Sequence, residues 1–314
     1  MRAKHEPVML SRCLALLAPA LASDGAICID ATIGLGGHSE AILRAFPKVR
    51  LIGLDRDLEA IKLASERLTE FAERVTIVHA IYDRLPEVLE DAGISGVQGV
   101  LFDLGVSSMQ LDDKERGFAY SQDAPLDMRM DNSQGISAAE VVNTYSFAEL
   151  ARVLRVYGEE RFAKRVADAI VREREIALFV GTARLAEVVR TSIPAATRRV
   201  GGHPAKRSFQ ALRIEVNNEM EALARAIPEA LDSLTLGGRM VVLSYHSLED
   251  RMVKREFVGR SQSTSPRDLP IELPGHDPKY RLLVRGAEEP SSDELVSNPR
   301  SASAKLRAIE RVAA

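Results

Sequence analysis

Cysteine is scarce in this chain, and the scarcity excludes a zinc centre built on thiolates. Only Cys13 and Cys28 are present among 314 residues, too few to make such a site by themselves. Both lie in apolar segments and read as buried thiols, and no metal-ligand set is expected. Long hydrophobic runs are missing too. No stretch approaches the length of a membrane span, and Met1-Arg2-Ala3-Lys4-His5-Glu6-Pro7 has no apolar signal region behind it. Export is therefore not indicated, and a cytoplasmic location is expected. Nor is charge of one sign in excess. A net charge of −3 argues against a protein whose whole surface binds nucleic acid, while a hydrophobic content of 46% supports a real core.

One more absence is specific. The run Ile29-Asp30-Ala31-Thr32-Ile33-Gly34-Leu35-Gly36-Gly37-His38-Ser39 takes an apolar stretch into a glycine cluster, and Leu51-Ile52-Gly53-Leu54-Asp55 ends a second apolar stretch on an acid. Glycines let the chain turn sharply and bring backbone close to a ligand. A terminal acid on the second strand can take two hydrogen bonds from a ribose diol. A dinucleotide site, however, requires G-x-G-x-x-G, and the third glycine's place holds Ser39. The pattern reads instead as an S-adenosylmethionine site, in which no phosphate is bound. The plain alternative is a βα turn whose glycines serve geometry alone.

Strand candidates at 26–31, 49–54, 75–79 and 97–104 alternate with amphipathic segments at 38–45, 57–70 and 85–92. Such alternation implies a parallel sheet with right-handed crossovers. It breaks between Met109 and Arg213, where a polar loop (112–134) precedes helical periods at 147–156, 161–174 and 182–192. A long helix at 208–234, a Gly237-Gly238 turn and a strand at 239–244 resume the pattern. A Pro/Gly/Ser-rich connector (261–278) leads to final strands at 280–285 and 305–311. The chain therefore reads as an α/β sheet domain, 1–108 with 214–314, interrupted by a helical insert, 109–213. An insert after the fourth strand leaves from the carboxyl edge of the sheet, where open α/β folds bind ligands.

Charge is unevenly spread. Between Arg152 and Arg213 there are 14 Lys/Arg against 6 Asp/Glu. Solvated helix faces are the ordinary explanation. The single sign of the surplus, and its persistence through Arg198-Arg199 and Lys206-Arg207 in a Gly/Pro-containing loop, point to a phosphate backbone instead.

Three further segments carry more chemistry than a scaffold needs: Leu101-Phe102-Asp103-Leu104-Gly105-Val106-Ser107-Ser108-Met109-Gln110, Pro125-Leu126-Asp127-Met128-Arg129-Met130, and Leu243-Ser244-Tyr245-His246-Ser247-Leu248-Glu249-Asp250-Arg251. His246 reads either as a residue at a helix start, with Ser247 capping and Asp250 complementing the dipole, or as a catalytic group. Together with Arg116-Gly117-Phe118, Tyr157-Gly158-Glu159-Glu160-Arg161, His203-Pro204-Ala205, Phe209–Ile214 and Asn298-Pro299-Arg300, these segments resemble the ribosomal RNA small-subunit methyltransferase H family, also called the MraW family.

That resemblance covers nearly the whole chain. It implies a class I, Rossmann-like sheet and transfer of methyl from S-adenosylmethionine to the exocyclic N4 of a cytidine near the decoding site of 16S rRNA. The partner would be that RNA, within the small ribosomal subunit; the residues leave open whether the protein forms a homodimer. The family's cofactor contacts fall on Gly36, Gly37, His38, Asp55, Tyr82, Asp103 and Gln110. Two departures stand out: Tyr245 where the family commonly has Phe, and Ala302 where it often has Arg. Amino-directed DNA methyltransferases often end the fourth strand in two prolines and an aromatic, and Asp103-Leu104-Gly105-Val106 has neither. The proton acceptor for the target amine must then lie elsewhere, with the strand end holding Ser244 and His246 favoured. Competing readings are a methyltransferase for another RNA, a protein or a small molecule; a nicotinamide dehydrogenase, opposed by Ser39; and a silent RNA-binding module, opposed by Asp55 and the glycines.

Overall fold

Apolar runs with turn residues between them become the strands of one sheet. The computed structural model describes residues 7–120, 122–195, 203–266 and 275–313. The strands are β1 (Ile27–Asp30), β2 (Arg50–Asp55), β3 (Val75–His79), β4 (Val97–Asp103), β5 (Leu234–Ser244), β6 (Tyr280–Leu282) and β7 (Lys305–Arg311), in spatial order β3-β2-β1-β4-β5-β7-β6. The first five run parallel, and β7 is antiparallel to both β5 and β6. This is the doubly wound α/β sheet that the sequence predicts, with its order reversing between β1 and β4.

The chain divides into two compact units, Met1–Gly105 with Glu221–Ala314, and Val106–Met220. In the first, Ile29, Leu51, Leu54, Leu101, Phe102, Val241 and Leu243 are wholly or almost wholly buried along the sheet. Each such side chain contributes roughly 1.5–3 kcal/mol relative to exposure. Cys13 and Cys28 are buried free thiols, and burial raises the pKa of both.

The longest element that escapes the sequence reading is the helix Leu10–Leu21; the short helices Ser108–Asp112, Ala138–Thr144 and Ser292–Ser297 also escape it. The buried face of Leu10–Leu21, formed by Cys13, Leu16, Leu17, Ala20 and Leu21, has helical spacing. Pro19 hides it, since an interior proline lacks the N–H that the preceding turn would receive. The long helix expected at 208–234 is in fact two, Lys206–Asn217 and Glu219–Asp232. Asn218 separates them in the left-handed region (φ 50°, ψ 37°), which asparagine tolerates better than most residues. Its neighbour Asn217 is committed elsewhere: Oδ1 accepts from Met130 N and Nδ2 donates to the Met128 carbonyl, both at 2.7 Å.

The second unit is built from helices. Ala138–Thr144 and Phe147–Val156 each open on a reciprocal Ser/Glu capping box, Ser137 with Glu140 and Ser146 with Glu149. Among its described residues the extended pairing is a single bridge, Pro125 to Gly181. Arg116 organises the polar loop by donating to the carbonyls of Arg129 and Met130.

Gly117 holds the same loop in place from the other side. Its φ is +69°, and a Cβ there would sit 2.1 Å from the Pro125 carbonyl oxygen. Left-handed strain and a backbone clash act together, so Gly117→Ala is expected to cost about 2–3 kcal/mol of stability. Urea unfolding checks this; a change under about 0.5 kcal/mol would show that the loop relaxes freely.

Candidate active site

Parallel strands bring their carboxyl ends to one edge, and three adjacent strands of the first unit end there on an acid: Asp30 on β1, Asp55 on β2 and Asp103 on β4. Each is held differently.

Asp30 is fully buried. It accepts from Ser39 Oγ at 2.6 Å and from Thr32 N at 3.3 Å, and desolvation raises its pKa against those bonds. Ser39 is thus the clamp between β1 and the helix Gly37–Ala45, where a dinucleotide fold would place a close-packing glycine. Sequence reasoning did not single out Asp30, although it obeys the same strand-end rule as Asp55. Glu40 lies in the first turn of that helix. Its carboxylate is paired with Arg44 and Arg67.

Asp55 turns both oxygens onto backbone. Oδ2 accepts from Gly34 N and Oδ1 from Asp57 N, each at 2.9 Å. A carboxylate oxygen can accept more than one bond, so both retain capacity. Burial outweighs the amides and pushes the pKa up to about 6. Between these acids, Gly36 makes its turn with φ +74°. Gly37 serves packing instead: a Cβ would lie 2.6 Å from Pro7 Cγ.

Asp103 stands at the centre. Its backbone N–H donates to Thr32 Oγ1 at 2.6 Å, joining the β4 end to the β1 turn. Oδ1 accepts from the Tyr245 hydroxyl at 2.6 Å. Oδ2 lies 3.6 Å from His38 Nε2, beyond hydrogen-bond reach. His38 is buried and its Nε2 has no hydrogen-bond partner among the described residues. Tyr82, in the turn after β3, sets its ring edge-on to Phe102 with centroids 5.7 Å apart.

The sequence-predicted residues Gly36, Gly37, His38, Asp55, Tyr82 and Asp103 therefore all belong to the first unit and to the loops after its strands. Gln110 does not. It falls in the second unit, where it closes a capping box with Ser107.

At the end of β5, Ser244 is 1% exposed and its Oγ has no hydrogen-bond partner among the described residues. His246 is itself the cap of the helix Ser247–Arg260, a place the sequence reading gave to Ser247. Its Nδ1 accepts from Glu249 N at 3.4 Å, and Nε2 lies 3.1 Å from Glu249 Oε1. Both ring nitrogens face Glu249, so capping competes with any proton acceptance by this imidazole.

In the second unit much of the positive surplus is structural. Arg152 pairs with Glu215, Arg190 with Glu187 and Arg213 with Glu219, while Arg174 and Arg184 cap carbonyls. Arg155, Lys164, Arg165, Lys206 and Arg207 are exposed. Arg198 and Arg199 lie outside the described residues. Beside Lys206, His203 stacks on Tyr120 (4.6 Å, 19° between planes), and Phe209 backs Tyr120 edge-on. His203 Nδ1 accepts from Ala205 N. Its Nε2 therefore carries the proton in the neutral ring.

The MraW methylase family matches residues 2–312 of the chain. The ribosomal RNA small subunit methyltransferase H of Saccharopolyspora erythraea is 61% identical over 311 residues, covering 99% of this chain and 94% of that protein. Its counterpart from Streptomyces avermitilis is 58% identical over 311 residues, covering 99% and 98%. Among solved structures, an rRNA methylase from Streptococcus thermophilus aligns over 99% of both chains at 12% identity with a TM-score of 0.45.

The burial of Asp55 has a measurable consequence. With its native pKa raised to about 6, the folded state binds more protons than the unfolded state between about pH 4 and 6. Its contribution to stability is fully present below about pH 4 and is lost as pH rises through 6. Carboxyl carbon NMR of the native protein should give a midpoint near 6 for Asp55; a midpoint near 4 would mean water reaches this carboxylate freely.

Proposed function

The chain belongs to the MraW methylase family, and from that premise we propose that it transfers methyl from S-adenosylmethionine to the exocyclic N4 of a cytidine in the decoding region of 16S rRNA. The observation that carries the cofactor part is the row of acids at adjacent strand ends, set beside a buried imidazole nitrogen that has no partner in the described chain. The name its relatives carry, ribosomal RNA small subunit methyltransferase H, supports small-subunit rRNA as the substrate.

The residues fit the cofactor. Asp55 keeps acceptor capacity for a ribose diol. His38 Nε2 offers one further polar contact, and the Tyr82 ring offers a flat apolar face for adenine. Asp103 Oδ2, left over by Tyr245, suits the ammonium of the amino-acid tail. Gly36 makes the turn that leads into the helix bearing His38, and Gly37 lets that helix start pack closely. When bound, the cofactor's sulfonium supplies a methyl group already activated toward a nucleophile.

What this chain must add is alignment and a sink for a proton. A cytosine amine donates its lone pair into the ring, so an acceptor near N4–H is needed as the nitrogen becomes tetrahedral. The β5 strand end supplies it in this reading. Ser244 Oγ has its lone pairs uncommitted, whereas His246 would have to release the Glu249 N–H, because Nδ1 accepts that bond and Nε2 then carries the proton of the neutral ring. The second unit supplies the RNA contact through Lys206 and Arg207, with Arg198 and Arg199 in the same segment of sequence. The Tyr120–His203 stack gives an unpaired base a flat surface to lie on.

Tritium transfer from labelled cofactor to free 16S RNA, small subunits and intact ribosomes tests the reading directly. N4-methylcytidine in the digested product is the expected result; label in another nucleoside, in protein or in neither would overturn it. Cofactor affinity should also rise with pH through about 6, because only ionised Asp55 accepts from both ribose hydroxyls.

The RNA face is tested separately. Reversing Lys206 and Arg207 to Glu is expected to weaken RNA binding and to reduce the log-log salt slope by about one unit for each lost phosphate contact. S-Adenosylmethionine binding should change less than about twofold, since every proposed cofactor residue except Gln110 lies in the other unit. Equal salt slopes for variant and parent would make these side chains ordinary solvated charges.

A further inference from the structure

The geometry points to Tyr245 as a positioning residue: its hydroxyl fixes the Asp103 carboxylate so that one oxygen, Oδ2, is presented to the cationic amino-acid tail of the ligand. The inference rests on the cofactor reading above and goes beyond it, because that reading gives Tyr245 no ligand contact.

Three observations carry it. The hydroxyl lies 2.6 Å from Asp103 Oδ1, a short charge-assisted contact. The ring cannot easily leave that position. Its flank lies where a Cβ on Gly105 would come within 3.5 Å, it packs on the main hydrophobic core, and its backbone N–H donates to Glu249 Oε2 at 2.8 Å. Burial, with Asp103 beside it, holds the phenol pKa well above the ordinary tyrosine range, so the hydroxyl remains a donor throughout the working range of pH.

The consequence for Asp103 is one of orientation. Its backbone N–H is held by Thr32 Oγ1, which fixes the main chain, and Tyr245 fixes the side-chain torsion. The carboxylate is then left with Oδ2 as the oxygen on the side of His38, which stands 3.6 Å away without forming a hydrogen bond. With Phe at 245 the same carboxylate could rotate, and a ligand ammonium would have to order it on binding. A preset oxygen avoids that loss of torsional freedom. The hydroxyl also disperses part of the charge that Asp103 would otherwise carry alone in a site already holding Asp30.

Tyr245→Phe removes one oxygen atom and leaves the ring packing intact. The test compares two ligands by calorimetry: S-adenosylhomocysteine, which has the amino-acid tail, and 5′-methylthioadenosine, which lacks it. Tyr245→Phe is expected to bind the first about three- to tenfold more weakly and the second within twofold of the parent. The loss should appear in KM for S-adenosylmethionine, with kcat within about twofold. In an Asp103→Asn background, Tyr245→Phe should have no further effect on tail preference. Equal losses for both ligands, no loss for either, or an undiminished effect in the Asp103→Asn background would each overturn the proposal. A parent protein that binds neither ligand would instead sink the cofactor reading itself, which the unmodified protein reveals before any variant is made.

Discussion

The rest of the first unit depends on where its sheet reverses direction. β1 connects outward to β2 and β3 on one side, and β4 neighbours β1 on the other, so the chain's crossovers diverge from the line between β1 and β4. Neither crossover covers the carboxyl ends at that line, and a crevice is left there by topology alone. Backbone pairing then fixes its contents. Asp30 pairs in register with Gly53, and Asp103 with Leu243, so the acids arrive at the same edge by ladder geometry and not by chance of loop conformation.

Acids so placed are expensive to bury, and each is stabilised by a different class of donor. A serine hydroxyl serves Asp30, backbone amides serve Asp55, and a phenol serves Asp103. None of these donors is a cation. An arginine or lysine at any of the three would satisfy the carboxylate more strongly, but it would also cancel the negative potential at this edge. Neutral donors hold the carboxylates in place and leave the field intact.

The fold was legible in the sequence because its signals are local. Apolar runs of four to seven residues bounded by glycine or acid mark β1, β2 and β4, and their alternation with amphipathic segments implies the parallel order. Two features defeated that reading for physical reasons. Pro19 masks a helix whose buried face is otherwise regular, and the break at Asn218 directly follows Asn217, whose side chain is claimed by Met128 and Met130, far away in sequence. At the site, the seven proposed cofactor residues follow from the family resemblance, and the six that fall in the first unit lie at strand ends and turns, which leave local marks in the sequence. The engagement of His246 with Glu249 could not. Ser, His and Glu at neighbouring positions are compatible with catalysis and with capping alike, and only ring orientation separates them. The basic surplus was similarly ambiguous: composition counts Arg152, Arg174, Arg184 and Arg213 as free charge, whereas each is spent on an internal partner.

The placement of the insert has a consequence for how the chain acquires its structure. β4 is complete before residue 106 and its partner β5 begins at Leu234, so the pairing of Asp103 with Leu243 closes a loop of roughly 140 residues. During vectorial synthesis the β3-β2-β1-β4 half-sheet emerges first, with the β4 edge bare and its hydrogen-bonding groups unpaired. If residues 106–220 remain a coil, that edge waits on a slow, entropically costly closure. If they condense early into their own helices, the ends of the loop are drawn together before β5 leaves the ribosome. The capping boxes at Ser137 and Ser146 make those helices locally determined. Helices so determined can form before β5 is made, which shortens the flexible length left to close.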